Sequence, residues 1–206
     1  VANNPVTYNE KLPYQRYDRI KFEGLRWSPE KRIQEYGINK YVSPECIILD
    51  IGCNTGFMAI ELVYSYNVIA HGIAPNAHLC QVANIVADYL DVKSRTAFYD
   101  CKFDEELNLF KNFYDVILSL AAFHTADGRE REDAKDYFHR CYDLMKSNGI
   151  LIYESVSYNV EEKGENYEAA MAALRALHKY FVPIEVITKP SGSTGWVREY
   201  FIGSKK

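Results

Sequence analysis

Ile47-Ile48-Leu49-Asp50-Ile51-Gly52-Cys53-Asn54-Thr55-Gly56-Phe57 is the stretch that decides the fold. The apolar run Cys46–Ile51 is strand-length and stops at Gly52. Phe57–Tyr66 follows with Ile60, Val63 and Tyr64 at helical spacing. The stretch therefore predicts a buried strand, a glycine turn and a helix. In an open α/β sheet such a turn lies at the carboxyl edge of the strands, where ligands bind. Gly52 and Gly56 lack Cβ and let backbone approach a ligand closely. The helix behind them presents free N–H groups. Asp50 puts a carboxylate beside the turn.

Outward from this turn the pattern repeats. Val68–Ile73 is a second strand and ends before Pro75. Asn76 is placed to cap a helix running to Leu90, with Leu79, Val82, Ala83, Val86 and Leu90 on one face. Arg95–Tyr99 and Tyr114–Leu120 read as the third and fourth strands. A helix over about Glu130–Met145 is expected to stop at Ser147-Asn148-Gly149, before a fifth strand at Ile150–Ser155. Regular alternation of this kind predicts a mostly parallel, Rossmann-like sheet with helices on both faces. The C-terminus departs from it. Glu165–Lys179 is helical, and Ile184–Thr188 and Trp196–Gly203 form two strands joined by a Gly/Ser loop, an antiparallel hairpin. The total is seven strands. Residues 1–43 hold Pro5, Pro13, Pro29 and seven aromatic residues. They are expected to cap the mouth of the sheet, with 44–206 as the core of a single domain.

Composition narrows the function. At 206 residues, 48% hydrophobic and 25% charged, the chain suits one soluble domain. Its apolar runs are far shorter than the roughly 20 residues that span a bilayer. No secretory signal precedes the first strand, and a cytoplasmic location is expected. The chain begins at Val1, which fits removal of upstream residues or one domain of a longer protein. Net charge −4 argues against a nucleic-acid partner. Arg16, Arg19, Lys21, Arg26, Lys31 and Arg32 cluster near the N-terminus and read as a solvated helix face. Five cysteines without a C-x-x-C pair read as reduced thiols, and no metal-ligand spacing is present, so no metal is expected.

The turn itself carries the ligand reading. A pyrophosphate loop would read G-x-G-x-x-G, without an acid just before the first glycine. This one reads D-x-G-x-N-x-G. Asp50 and backbone donors suit a ligand that carries cationic groups and a carboxylate, as S-adenosyl-L-methionine does. Ile48 to Gly56 resembles motif I of class I S-adenosylmethionine-dependent methyltransferases, in the variant with Asn54 at the middle glycine. Phe113–Leu120 resembles that family's fourth strand, and Leu144–Leu151 its turn before strand five, with Ser147 and Asn148 in place of Pro and Gly. The seven-strand arrangement is also similar. The resemblance covers residues 44–203 and implies cofactor contacts from Asp50, Gly52, Asn54 and Gly56, together with Ile73, Asp100, Cys101 and Ser119 at the ends of the next strands. Asp100 is then expected on the adenine amino group. One position departs from the family: Ala74 stands where an acid usually accepts from both ribose hydroxyls, and Asn76 is a candidate replacement.

Methyl transfer is an in-line displacement, dominated by alignment. A hydroxyl acceptor also needs a base. His124, just past the fourth strand, is the expected proton acceptor. Glu154 at the end of strand five is the second catalytic candidate, facing the acceptor hydroxyl with Ser155 and Tyr158 near it. Gln15-Arg16, upstream of an Asn-type motif I, is similar to a pair in bacterial O-antigen and capsular polysaccharide methyltransferases. That likeness implies that Gln15 and Arg16 close over the cofactor, Arg16 on its carboxylate. It also implies O-methylation of a sugar hydroxyl, on a nucleotide sugar or glycan. The alternatives are an RNA-directed methyltransferase and a catalytically silent cofactor-binding subunit.

Overall fold

The computed structural model describes residues 7–9, 12–103, 111–123, 133–191 and 195–206. A short hairpin, β1 (Thr7–Asn9) and β2 (Leu12–Pro13), opens the chain. Next comes helix α1 (Pro29–Glu35), with Pro29 at its first position, where a missing N–H costs nothing. The core then alternates: β3 (Ile47–Ile51), α2 (Phe57–Tyr66), β4 (Ile69–Ile73), α3 (Ala77–Tyr89), β5 (Thr96–Tyr99), β6 (Tyr114–Leu120), α4 (Ala134–Leu144) and β7 (Met145–Glu154). The chain ends with the two-residue β8 (Tyr158–Asn159), α5 (Glu165–Tyr180), β9 (Phe181–Pro190) and β10 (Trp196–Lys205).

β5, β4, β3, β6 and β7 lie side by side and parallel. β10 runs antiparallel against β7 and β8 on one edge and against β9 on the other. This is a Rossmann-like sheet, mostly parallel with an antiparallel C-terminal hairpin. Reversal from β4–β3 to β6 sets a switch point at the end of β3, where the glycine turn lies. β3 is buried on both faces, as a central parallel strand must be. Ile48 enters the core beneath α1 and α2, while Leu49 and Ile51 enter the opposite core beneath α4 and α5. By strand alternation Asp50 shares the face of Ile48, and Glu154 shares the face of Ile150 and Ile152. Both carboxylates therefore project on the side covered by the N-terminal segment.

Two readings change. The expected helix stop at Ser147-Asn148-Gly149 is not a helix end. α4 finishes at Leu144, and β7 begins at once. Asn148 at φ 64° marks a bulge: Tyr114 pairs with Met145, but Val116 pairs with Ile150. Lys146 reaches from this bulge to Asp115 at 2.9 Å. The N-terminal basic cluster is also not a solvated face throughout. Arg19 makes a two-pronged contact with the buried Glu61, at 2.7 Å from Nε and from Nη2. Arg32 is only 5% exposed. Arg16, Lys21 and Lys31 do stay in solvent.

Glu61 ties the N-terminal segment to α2. Besides Arg19 it accepts from the Tyr17 hydroxyl at 3.0 Å, while the Tyr17 ring packs on Phe57 with centroids 5.1 Å apart. No helix among the described residues is long and apolar enough to cross a membrane.

Candidate active site

The turn after β3 takes three left-handed residues: Gly52 (φ 71°), Asn54 (φ 54°) and Gly56 (φ 70°). Asn54 tolerates that region because its short side chain bonds locally, Oδ1 accepting from the Thr55 N–H at 2.8 Å. Gly56 is a glycine for space as well. A Cβ there would sit 2.5 Å from the Phe98 ring and 2.7 Å from Ala83 Cβ. At Gly52 it would lie 2.8 Å from Ala122 Cβ. The Cys53 N–H donates to the Ile73 carbonyl at 2.9 Å, which fastens the turn to the end of β4.

Asp50 is 4% exposed, and its carboxylate accepts no hydrogen bond among the described residues. Burial pushes its pKa up to about 7, against a weaker opposing pull from Arg32. Thr55 Oγ1, in the turn, is also buried without a partner among the described residues. An unpaired acid and an orphaned hydroxyl beside two obligatory glycines form a cradle for a ligand with a positive charge.

The remaining expected contacts are distributed unevenly. Ile73 is in the core at 1% exposure and meets the turn through its carbonyl. Asp100 is exposed and Cys101 half-buried, just past the end of β5. Ser119 faces away from the turn: its Oγ lies 2.8 Å from the Tyr137 hydroxyl in the opposite core. The Gln15 carbonyl sits against Gly24, where a Cβ would come within 1.9 Å of it. The Arg16 guanidinium is taken by Asp18 at the surface. Ala74 is buried at 3% in a small cluster with Cys53 and Cys80. Asn76 spends its Oδ1 on capping α3, accepting from the Leu79 N–H at 3.2 Å. His124 lies outside the described residues.

Glu154 is 1% exposed and heavily partnered. Arg198 Nη1 donates to Oε1 at 2.9 Å and the Tyr200 hydroxyl at 3.1 Å. The Tyr36 hydroxyl lies 3.4 Å from the same oxygen. Arg26 Nη2 is 3.4 Å from Oε1, and Arg32 Nη2 is 3.8 Å from Oε2. Glu154 thus gathers arginines and tyrosines from both ends of the chain around one carboxylate. Arg26, Arg32, Arg198, Tyr36 and Tyr200 were not singled out from the sequence. They come from two segments at opposite ends of the chain, residues 26–36 and 198–200, and nothing in the sequence shows that the two meet. Glu61 did leave a trace, an acid inside the otherwise apolar first turns of α2.

The sequence model of the mycolic acid cyclopropane synthetase family matches residues 36–197. The chain belongs to this family. Its match to cyclopropane mycolic acid synthase 2 of Mycobacterium leprae (strain TN) is 28% identical over 153 residues, covering 69% of this chain and 46% of that protein. The chain thus spans about half the length of the curated relative it matches. Geranyl diphosphate C-methyltransferase from Streptomyces coelicolor A3(2), solved with S-adenosyl-L-homocysteine, superposes with a TM-score of 0.67 at 13% identity, over 86% of this chain and 81% of that one. The [4+2]-cyclase SpnF superposes with a TM-score of 0.70 at 12% identity, over 85% and 80%.

Membership of the cyclopropane synthetase family places the chain among the S-adenosylmethionine-dependent methyltransferases. The residues present fit that cofactor. Asp50 offers a buried carboxylate for its cationic end, and Gly52 and Gly56 allow the left-handed turn that holds Asp50 and Thr55 together.

Proposed function

We propose that this chain transfers a methyl group from S-adenosylmethionine to a lipid- or isoprenoid-type small molecule. The observation that carries this is the family match over residues 36–197, which spans the left-handed turn of Gly52, Asn54 and Gly56. The named relative is a cyclopropane mycolic acid synthase, and the named structural neighbour a geranyl diphosphate C-methyltransferase. When bound, the cofactor supplies an electrophilic methyl group on a sulfonium. Asp50 would hold the positive charge, the turn would fix the methionine end, and residues 12–43 would cover the carboxyl edge. Proton removal remains assigned to His124. Glu154 would organise the arginines and tyrosines around it. Five free cysteines suit a reducing compartment, and a cytoplasmic location is retained.

The sugar hydroxyl acceptor rested on Gln15-Arg16, and Arg16 is engaged by Asp18 at the surface. None of the named relatives points to a glycan. A second reading is a chain that holds the cofactor without transferring methyl. It is favoured by Ala74, which offers no carboxylate to the ribose.

Two measurements test these readings. Calorimetry with S-adenosylhomocysteine should give binding; a folded protein that binds none overturns both. Transfer of labelled methyl is then followed on unsaturated fatty acids, prenyl diphosphates, nucleotide sugars and short RNAs. Labelling of the first two classes supports the proposal. Labelling of only sugars or RNA overturns its acceptor. Binding with no labelling anywhere supports the second reading. His124→Ala should lower turnover by about a hundredfold or more. Turnover within a few-fold would remove His124 from the mechanism.

A further inference from the structure

Three guanidiniums converge on the carboxyl end of β7, on the face covered by α1. Arg26 comes from the N-terminal segment, Arg32 from α1 and Arg198 from β10. Among the described residues the carboxylate they share is Glu154, so three positive charges meet one negative charge. The sharing is uneven. Four donors crowd Oε1, whereas Oε2 is approached only by Arg26 at 3.5 Å and Arg32 at 3.8 Å. Those two distances are long for a charge-assisted bond, which runs about 2.7–2.9 Å.

Arg32 is the telling member. Its side chain is 7% exposed, its Nε is buried without a partner, and its guanidinium makes no hydrogen bond among the described residues. Asp50 acts on it only at a distance. A buried guanidinium is costly unless fully paired, and a fold tolerates one mainly where something else completes it. Arg26 and Arg198 keep 15% and 19% of their side chains exposed, so the cluster is open to solvent on one side. The Tyr14 hydroxyl, 2.6 Å from Arg26 Nη1, adds another polar group there.

Sheet geometry puts this cluster at the same carboxyl edge as the turn. β7 is two strands from β3, with β6 between them. At ~4.8 Å per strand the cluster is about 10 Å across from the cofactor turn. Glu154 pairs with Leu120, the last residue of β6.

We propose that Arg26, Arg32 and Arg198 form an oxyanion subsite that docks a phosphate or carboxylate group of the methyl acceptor. This rests on the methyl-transfer reading and adds a charge requirement to it. Guanidinium forks match the planar or tetrahedral oxygens of such groups, and three of them select for an acceptor with an acidic end. Glu154 then aligns the arginines and holds the place of the anion before it arrives.

The test uses the whole chain with inorganic pyrophosphate and hexanoate as probes, at fixed ionic strength with sodium chloride as control. Binding is read by calorimetry, with and without saturating S-adenosylhomocysteine. At least one probe should bind, and its identity separates a phosphate-bearing from a carboxylate-bearing acceptor. Arg26→Gln and Arg198→Gln should each weaken it by about tenfold or more. Glu154→Gln, which removes the competing carboxylate, should tighten it. If the Gln variants fail to fold, Arg26→Lys and Arg198→Lys keep the charge but lose the fork, and should weaken binding by several-fold. Binding that ignores the arginine variants overturns the subsite, as does an effect equalled by chloride. Probes displaced by S-adenosylhomocysteine also overturn it, because the arginines would then serve the cofactor's own carboxylate. S-adenosylhomocysteine binding without probe binding sinks the subsite alone. Probe binding without S-adenosylhomocysteine binding sinks the methyl-transfer reading.

Discussion

The molecule carries two buried carboxylates on one face of one sheet, and they live in opposite surroundings. Asp50 stands at the glycine turn and accepts no hydrogen bond among the described residues, and burial pushes its pKa up to about 7. Glu154 ends a strand two places away and touches three arginines and two tyrosines. Asp50 is a charge waiting for a cation. Glu154 is an anion outnumbered by its cations. The same side-chain chemistry thus prepares one end of the face for a positive ligand and the other for a negative one, and only the neighbours differ.

The largest effect expected from breaking this contrast is at Glu154. Glu154→Ala leaves three guanidiniums facing one another and should destabilise the fold by about 3–5 kcal/mol. Cofactor affinity in the surviving folded fraction should change only a few-fold. Chemical denaturation and calorimetry together check this. A tenfold or larger loss of cofactor affinity would join the two regions into one site.

Asp50 should respond with the opposite sign. An unfolded chain ionises this group near 3.8, whereas the folded protein keeps its proton to about 7. Protonation therefore favours the folded form. That contribution is fully present below about pH 4 and is lost as pH rises through 7. Above it the buried charge costs up to about 4 kcal/mol. Asp50→Asn should accordingly raise the melting temperature at about pH 8 while weakening the cofactor. In the unsubstituted protein, cofactor affinity should climb about tenfold per pH unit up to about pH 6 and level off above about pH 8. A flat profile would mean that the ligand's positive charge does not meet Asp50.

Next in size is the turn. Gly52→Ala combines a left-handed backbone with a Cβ 2.8 Å from Ala122. It should cost roughly 2–3 kcal/mol and lower cofactor affinity, leaving any anion binding at the arginines intact. Gly164→Ala, with nothing within 4 Å of the added carbon, is the neutral control.

The contrast also explains what the sequence could and could not reveal. The turn was legible because its parts are chain neighbours: an apolar run, an acid, two glycines and an Asn, in an order that backbone conformation and close packing require. α2 and β6 were read at their observed ends, since a nearly continuous buried run (Phe57–Val63 in α2, Val116–Ser119 in β6) leaves a plain apolar signature. The arginine cluster was not legible. Arg26 and Arg32 looked like part of a basic, solvated stretch, and Arg198 sits alone in a C-terminal strand. Their meeting depends on β10 lying against β7 and on the N-terminal segment folding back over both. The bulge at Asn148 misled for a related reason. Ser-Asn-Gly supplies the same left-handed geometry to a helix stop and to a kink inside a strand, and only the partner strand decides between them.

The smallest effect bears on the ribose. Where related turns are followed by an acid, this chain has the buried Ala74, so another group must hold the hydroxyls if the cofactor binds in the usual orientation. Asn76 is near in sequence, but its oxygen already accepts from the Leu79 N–H, a helix cap. If capping is its whole role, Asn76→Ala should cost about 1 kcal/mol and leave cofactor affinity unchanged. If its amide also reaches the ribose, affinity should fall by about tenfold, as expected for a lost polar contact of about 1.4 kcal/mol. Thermal unfolding and calorimetry on one variant separate the two roles, because a cap acts on the fold alone and a ribose contact acts on the bound state.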